Sequence, residues 1–427
     1  YNSDFVRNPS RRPVCCLDEF PFPYRDRADL LRNKDRILYY ESSRGCPFGC
    51  SYCMSSLERS VRTLSLQRTF SDLAVFLETN VRLIKFVDRT FNFDRGRCME
   101  ILRFLRDHDN GITSFHFEMS PTLIDQELLE FVRTVREGLF LFEIGLQSAN
   151  PDTLEAIGRK QDTMTLGPAL QAISASNVHV HLDLIAGLPY EDYSSFGRSF
   201  DVAMSFFPDV LQLGFLKVLK GAPISFETQH MFQYSLRPPY EILENRYISF
   251  EDLGKLKQIE EVFERYFNSG LFRGSFLYFA EHLFSGGFFS MAESLTGYLQ
   301  ENGFFAVSVS ENALGELLHD WLLSLPLSPG VRKNCENRLA FDLYRKSPVL
   351  NPPSWLANLP DQKRLISLLK NPSRFLPVLP AEVRGIFPGE DSKKWYRRAR
   401  IVSFFFDGKK ETYLFLYPNL SYVIPLE

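Results

Sequence analysis

The stretch Ile37-Leu-Tyr-Tyr-Glu-Ser-Ser-Arg-Gly-Cys46-Pro-Phe-Gly-Cys50-Ser-Tyr-Cys53 joins an apolar, β-rich run to three cysteines spaced Cys-x3-Cys-x2-Cys. Gly45, Pro47 and Gly49 keep the connecting loop tight and irregular, so the three sulfurs can converge on one centre. Ligands of parallel α/β folds collect where strands end at their carboxyl side. Chemistry is therefore expected just after this first run.

Working outward, the run at 37–42 is the first of six. The others are 83–88, 113–119, 139–147, 178–188 and 210–218, each dense in Phe, Ile, Leu and Val. Such runs are expected of strands buried on both faces. Between them, 95–107, 125–136, 165–176 and 193–206 carry apolar residues at helical spacing. Alternating strand and helix units predict a parallel sheet with right-handed crossovers. Six units fall short of the eight of a closed barrel. The fold class expected is thus α/β, a partial (β/α)6 barrel, with a doubly wound sheet as the competitor.

The rhythm stops near Gly221. Helical spacing marks 250–267, 276–299 and 310–325, a Pro-rich stretch covers 347–392, and two β-rich runs flank Asp407-Gly408, the signal of a hairpin. Three segments are expected: a Pro- and Arg-rich linker at 1–36, a catalytic domain at 37–225, and a mixed, mainly helical module at 226–427 that ends in a β-hairpin.

Three thiols suit an iron–sulfur cluster with one iron left open. A structural zinc site would need a fourth ligand from far away, since no His lies within 50 residues of Cys53. A redox Cys-x2-Cys pair would leave Cys46 idle. All three readings stay open on spacing alone.

The motif, with Tyr52 just before its last cysteine and a strand before its first, resembles the signature of the radical S-adenosylmethionine enzymes. That resemblance implies a 4Fe-4S cluster held by Cys46, Cys50 and Cys53, and S-adenosylmethionine on its fourth iron. It implies reductive cleavage to methionine and a 5'-deoxyadenosyl radical. Further along, Glu118 ends one strand run, and Gly145-Leu-Gln147-Ser148 resembles the Gly-x-Gln-Ser segment of the coproporphyrinogen-oxidase-like and cobalamin-binding branches. By that likeness Tyr52, Glu118, Gln147, Arg159 and Asp183 are the cofactor-binding candidates. Gln147 would serve the ribose, Arg159 the cofactor's carboxylate, and Gly187 a close approach to adenine. Asp88 and Asn92 stand where the family often has glycines. No catalytic residue is singled out.

Leu17-Asp-Glu-Phe-Pro-Phe-Pro-Tyr24 resembles the segment that follows a cobalamin-binding domain in that branch. Tyr1 then reads as a start inside an interdomain linker, with cobalamin supplied through a domain missing here. The part after Arg237 resembles the tail of an uncharacterised group of the same branch. The function expected is a radical enzyme, acting in cobalamin-dependent methyl transfer or C–H functionalisation of an unknown substrate. The alternative is a non-catalytic iron–sulfur protein used for binding or electron transfer. A reductant such as flavodoxin or ferredoxin is the partner implied.

Composition bounds the rest. The chain has 427 residues, 44% of them hydrophobic, with a formal net charge of −3. Near-neutral charge gives no basic field for general nucleic-acid binding. No apolar run is long enough to span a membrane, and no secretion signal is present, so a cytoplasmic, reducing setting is expected. Seven cysteines, an odd number, argue against a disulfide framework. Cys98 is expected to pack in a helix, and Cys15, Cys16 and Cys335 carry no assignment. Phe is abundant, at 40 residues, and the sequence alone offers no reason for it.

Overall fold

The computed structural model describes residues 14–426 except 308, 350–351, 357–358, 371–378, 380–383, 385–397 and 418–421. Pro9 and Pro13, and much of 347–392, lie outside the described residues. Two compact units result, Tyr1–Gly254 and Lys255–Glu427.

The first unit is built on one six-stranded sheet whose strands follow chain order. They are β1 (Ile37–Tyr40), β2 (Leu83–Phe86), β3 (Ser114–Met119), β4 (Phe140–Gln147), β5 (His179–Ala186) and β6 (Val210–Phe215). Every neighbouring pair is parallel. The crossovers carry α1 (Leu66–Glu78), α2 (Arg95–Asp107), α3 (Gln126–Val132), α4 (Pro151–Ala156), α5 (Thr163–Ser174) and α6 (Tyr193–Met204). Side-chain caps begin several of them: Asp94, Asp125, Asn150 and Asp192 each accept from a backbone N–H of the first turn. The expected partial (β/α)6 barrel is present.

One expectation is corrected. The strands are not buried on both faces. Along β5, Val180, Leu182, Leu184 and Ala186 are fully buried, while His179, His181, Asp183 and Ile185 between them are only partly buried. β4 alternates in the same way, with Glu143 and Gly145 on the open face. The buried face packs under the helices, and the other lines the inside of an unclosed barrel, where water and ligands reach it.

This also gives part of the reason for so much Phe. Phe86, Phe115, Phe117, Phe140 and Phe142 are fully buried on adjacent strands. The rings of Phe86, Phe117, Phe140 and Phe142, with Phe91, form a continuous layer, with centroids 4.6 Å apart for Phe86 and Phe117 and 4.1 Å for Phe91 and Phe117. Tilted and edge-on ring contacts add to area burial in such a layer.

The second unit is mainly helical and ends in β-structure. Helix α7 (Phe250–Phe263) passes the boundary and is prolonged by one π-turn, Glu264–Asn268. Next come α8 (Arg273–Leu283), α9 (Gly287–Glu301), α10 (Glu311–Ser324), α11 (Pro329–Lys346) and α12 (Gln362–Lys370). The single helix expected at 276–299 is two, because Ser285-Gly286-Gly287 interrupts it and Gly287 takes a φ of +83°. The expected hairpin is β7 (Ala399–Phe406) with β8 (Lys409–Leu416), and β9 (Tyr422–Pro425) adds a third antiparallel strand. Asp407 and Gly408 both have positive φ, as a two-residue turn of this hand requires. No helix among the described residues is long and apolar enough to cross a membrane.

Candidate functional site

At the carboxyl end of the sheet a cavity of about 580 Å³ opens. Cys46, Cys50 and Cys53 line it. So do Tyr52, Glu118, Gln147, Arg159 and Asp183, which come from strands and loops more than 100 residues apart.

The cysteine loop is fixed by backbone contacts. Gly45 has a φ of +105°, and a Cβ there would stand 2.3 Å from the Ser60 carbonyl oxygen, so only glycine fits. The Cys46 N–H donates to the Glu58 carbonyl at 3.2 Å, and Ser51 N–H to Ile157 O at 3.0 Å. Gly158, also left-handed, sits 3.2 Å from the Gly49 carbonyl by its absent Cβ. These contacts press the turn that carries Arg159 against the cysteine loop. The guanidinium accordingly sits among cluster-loop atoms: Nη1 is 4.0 Å from Cys50 Sγ and 3.4 Å from the Tyr52 hydroxyl, and Nη2 donates to Gly145 O. Gln161 Oε1 accepts from Arg159 Nε at 2.9 Å and holds the fork in place. Burial pushes the Cys50 thiol up, and the nearby Arg159 opposes this.

Among the described residues, no three His, Cys, Asp or Glu side chains converge closely enough to hold a single metal ion. A cubane imposes a different requirement. It takes each thiolate on a different iron, so its ligands stand around a cluster-sized gap rather than on one point. Three cysteines on the wall of one cavity meet that requirement.

Gln147 is the most constrained residue of the site. Its φ is +68°, a conformation costly for a residue with a Cβ. Its amide folds back over Gly145, where a Cβ would lie 2.2 Å from Gln147 Nε2. The Gly-x-Gln spacing therefore has a steric cause. Gln147 Oε1 is buried with no hydrogen-bond partner, and so is Asp183 Oδ1. Orphaned polar atoms on a cavity wall are what a polar ligand would satisfy. With the cysteines, they fit the cluster and S-adenosylmethionine. We expect Gln147→Gly to raise the thermal midpoint by relieving the backbone while weakening binding of S-adenosylmethionine. Differential scanning calorimetry and equilibrium dialysis check the two halves, and a variant that loses stability contradicts the strain.

Behind Gln147, Glu191 is buried and accepts from Ser148 Oγ at 2.6 Å and Ser199 Oγ at 2.7 Å. Ser199 in turn accepts from Ala149 N–H, so this group fixes the turn after β4. Burial pushes Glu191 from 4.5 up to about 7. A raised carboxyl favours the fold below pH 4.5, and that advantage is lost as the pH rises through about 7. At ~1.4 kcal/mol per unit the loss is about 3 kcal/mol. Glu191→Gln should remove this component, as urea midpoints at pH 5 and pH 8 would read. Equal pH dependence in variant and parent would contradict it.

The floor of the cavity holds a group that strand periodicity alone does not flag. Glu143 lines the cavity. Its Oε2 lies 2.9 Å from Lys85 Nζ and 2.9 Å from His116 Nε2. His116 and Lys85 hold Glu143 down at about 2. Burial and the Glu143 charge push Asp183 well above the ordinary carboxylate range, and push Glu118 up as well, with Arg89 3.9 Å from Glu118 opposing. One carboxylate held down thus sits beside two that are pushed up. The signal was the same-face spacing of charges within apolar runs: in register Lys85 pairs with His116, Glu118 with Glu143, and Glu143 with His181. His179 and His181 share that face, with rings 4.9 Å apart.

Other candidates lie elsewhere. Asp88 is buried beneath the site and accepts from Ser42 N–H at 2.7 Å and from Ser43 Oγ at 2.7 Å. Asn92 clamps the Ser120 backbone through two bonds, at 2.8 and 2.9 Å. Both brace loops of the cavity and do not line it. Gly187 does not line it either: its φ of +86° and the Ile242 side chain, 2.8 Å from a notional Cβ, account for the glycine. Cys98 and Cys335 are buried packing residues.

A profile of the radical SAM superfamily matches residues 40–203, and one described as a protein of unknown function (DUF4080) matches 228–415. An uncharacterised methyltransferase of Pyrococcus horikoshii is 29% identical over 194 residues, 44% of this chain and 41% of that protein. The cobalamin-dependent radical SAM methyltransferase TokK of Streptomyces tokunonensis is 26% identical over 263 residues, 55% of this chain and 36% of its own. The chain thus spans less than half the length of these relatives. Among solved structures, the cobalamin-dependent S-adenosylmethionine radical enzyme OxsB with aqua-cobalamin superposes with a TM-score of 0.51 at 14% identity, covering 82% of this chain and 60% of that one. Fold, cysteine spacing and profile agree over residues 40–203, which match the radical S-adenosylmethionine superfamily.

Proposed function

We propose that this chain is the catalytic part of a radical S-adenosylmethionine enzyme that works with cobalamin in methyl transfer. The observation that carries the reading is one cavity lined by Cys46, Cys50 and Cys53 together with Arg159, Gln147 and Asp183. A plain cluster carrier needs the first three only. Those cysteines would hold a 4Fe-4S cluster, which would supply the electron for reductive cleavage of S-adenosylmethionine. The chain's own residues bind and orient. Arg159 offers a fork for the cofactor's carboxylate beside Cys50. Gln147 Oε1 and Asp183 Oδ1 offer partners for its hydroxyl groups, and the close packing of Gly45 on Ser60 and of Gly158 on Gly49 fixes the cysteine loop. The methyl-transfer and cobalamin part of the reading is supported by the likeness to TokK, a cobalamin-dependent radical SAM methyltransferase, and a flavodoxin or ferredoxin fits as reductant.

The test is anaerobic reconstitution with iron and sulfide, reduction with dithionite, and product analysis. The reading expects about four irons per chain and release of 5'-deoxyadenosine. Four irons without cleavage would favour a non-catalytic iron–sulfur protein instead. Stoichiometric zinc without iron would exclude both.

A further inference from the structure

The second unit contains a cavity of about 500 Å³ that the radical chemistry does not use. One wall is a stripe of α11: Arg338, Phe341, Asp342 and Arg345, at i, i+3, i+4 and i+7. The facing wall is the hairpin, with Phe406, Lys409 and Tyr413. Gly274 lies at its edge, where a Cβ would stand 2.9 Å from Asp342 Oδ1.

The charges on these walls are unequally satisfied. All three acids have donors. Asp342 accepts from Ser275 N–H at 2.7 Å and Ser275 Oγ at 2.8 Å. Asp407 accepts from Asn334 Nδ2 at 2.6 Å and pairs with Arg338 at 3.3 Å. Glu411 accepts from the Tyr413 hydroxyl. The cations keep spare capacity. Arg338 Nε is buried without an acceptor, although its guanidinium is fixed 3.9 Å over the Tyr278 ring. Arg345 donates to Gly270 O at 2.6 Å and is 3.8 Å from Asp342. Lys409 is exposed and makes no ion pair among the described residues.

Spare donors on one side and half-exposed rings of Phe341, Phe406 and Tyr413 between them define a complementary ligand. We propose that this cavity binds a small organic oxyanion, a phosphate or carboxylate carried on a flat apolar body. Arginine forks suit either oxyanion, aromatic walls suit the body, and the volume lies in the range of ligand pockets. The inference is independent of the cluster reading.

Calorimetric titration of the full chain tests it with two anions, adenosine 5'-diphosphate and 2-naphthoate, against neutral adenosine and 2-naphthylmethanol. At least one anion should bind saturably, and its neutral counterpart should not. Which anion binds identifies the oxyanion as phosphate or carboxylate. Lys409→Glu and Arg345→Glu should each weaken binding about tenfold, with iron content unchanged. Lys409 is exposed, so its variant keeps the fold even if Arg345→Glu does not. Failure of both anions to bind at millimolar concentration overturns the proposal. Binding that both variants retain overturns it equally, because it lies elsewhere.

Discussion

Cys50→Ala is expected to yield a folded protein that holds no 4Fe-4S cluster and makes no 5'-deoxyadenosine. Cys50 is the buried member of the three and lies nearest Arg159. Its loss leaves two thiolates for a cubane that needs three. The loop should survive, because its shape rests on Gly45, the Cys46–Glu58 bond and the Ser51–Ile157 bond, none of which uses a sulfur. Iron analysis and the absorbance of the reconstituted variant read the first half, and far-ultraviolet circular dichroism the second. Retention of the full iron content would mean that the cluster is held elsewhere. Cys98→Ala is the control: it removes a packing thiol in α2 and should leave iron untouched.

The second large effect concerns the cavity floor. Glu143 is held down at about 2 from 4.5 by His116 and Lys85. A depressed carboxyl contributes stability above pH 4.5 and loses it as the pH falls through about 2. With Glu143 only 21% exposed, the contribution is about 3 kcal/mol at ~1.4 kcal/mol per unit. Glu143→Gln also leaves Lys85 without its counter-charge, and breaking such a pair from one side is costly. The variant should be destabilised by about 3 kcal/mol at pH 7, with the difference shrinking below pH 4. Denaturant unfolding at several pH values measures this. A difference that stays constant from pH 7 to pH 3 would show that the charge is not the cause. The variant should also let Asp183 and Glu118 ionise more readily, since the Glu143 charge pushes both up.

Much of this was legible in the chain. The six apolar runs became the six strands, because parallel strands under helices require unbroken Phe, Ile, Leu and Val on one face. The cysteine loop and its glycines were legible because spacing and steric need coincide there. What escaped has physical reasons too. α1 and α11 went unread even though Ser65 and Ser328 cap them. α11 is rich in charge, and its narrow stripe of Leu339, Ala340, Leu343 and Tyr344 hardly stands out from its neighbours. The Lys85–Glu143–His116 group joins three strands, and only register brings it together. Glu191 is a single carboxylate after a strand, and nothing local distinguishes it from a surface residue. Gln147's backbone strain is likewise invisible until the turn after β4 is seen against Ser148 and Glu191.

The central claim is that the cavity holds a three-cysteine cluster with one iron open to S-adenosylmethionine. Electron paramagnetic resonance of the anaerobically reconstituted, dithionite-reduced protein tests it most directly. The account predicts the signal of a reduced 4Fe-4S cluster whose g-values shift when S-adenosylmethionine is added, and no such signal from Cys50→Ala. A cluster signal that S-adenosylmethionine leaves unchanged would contradict it.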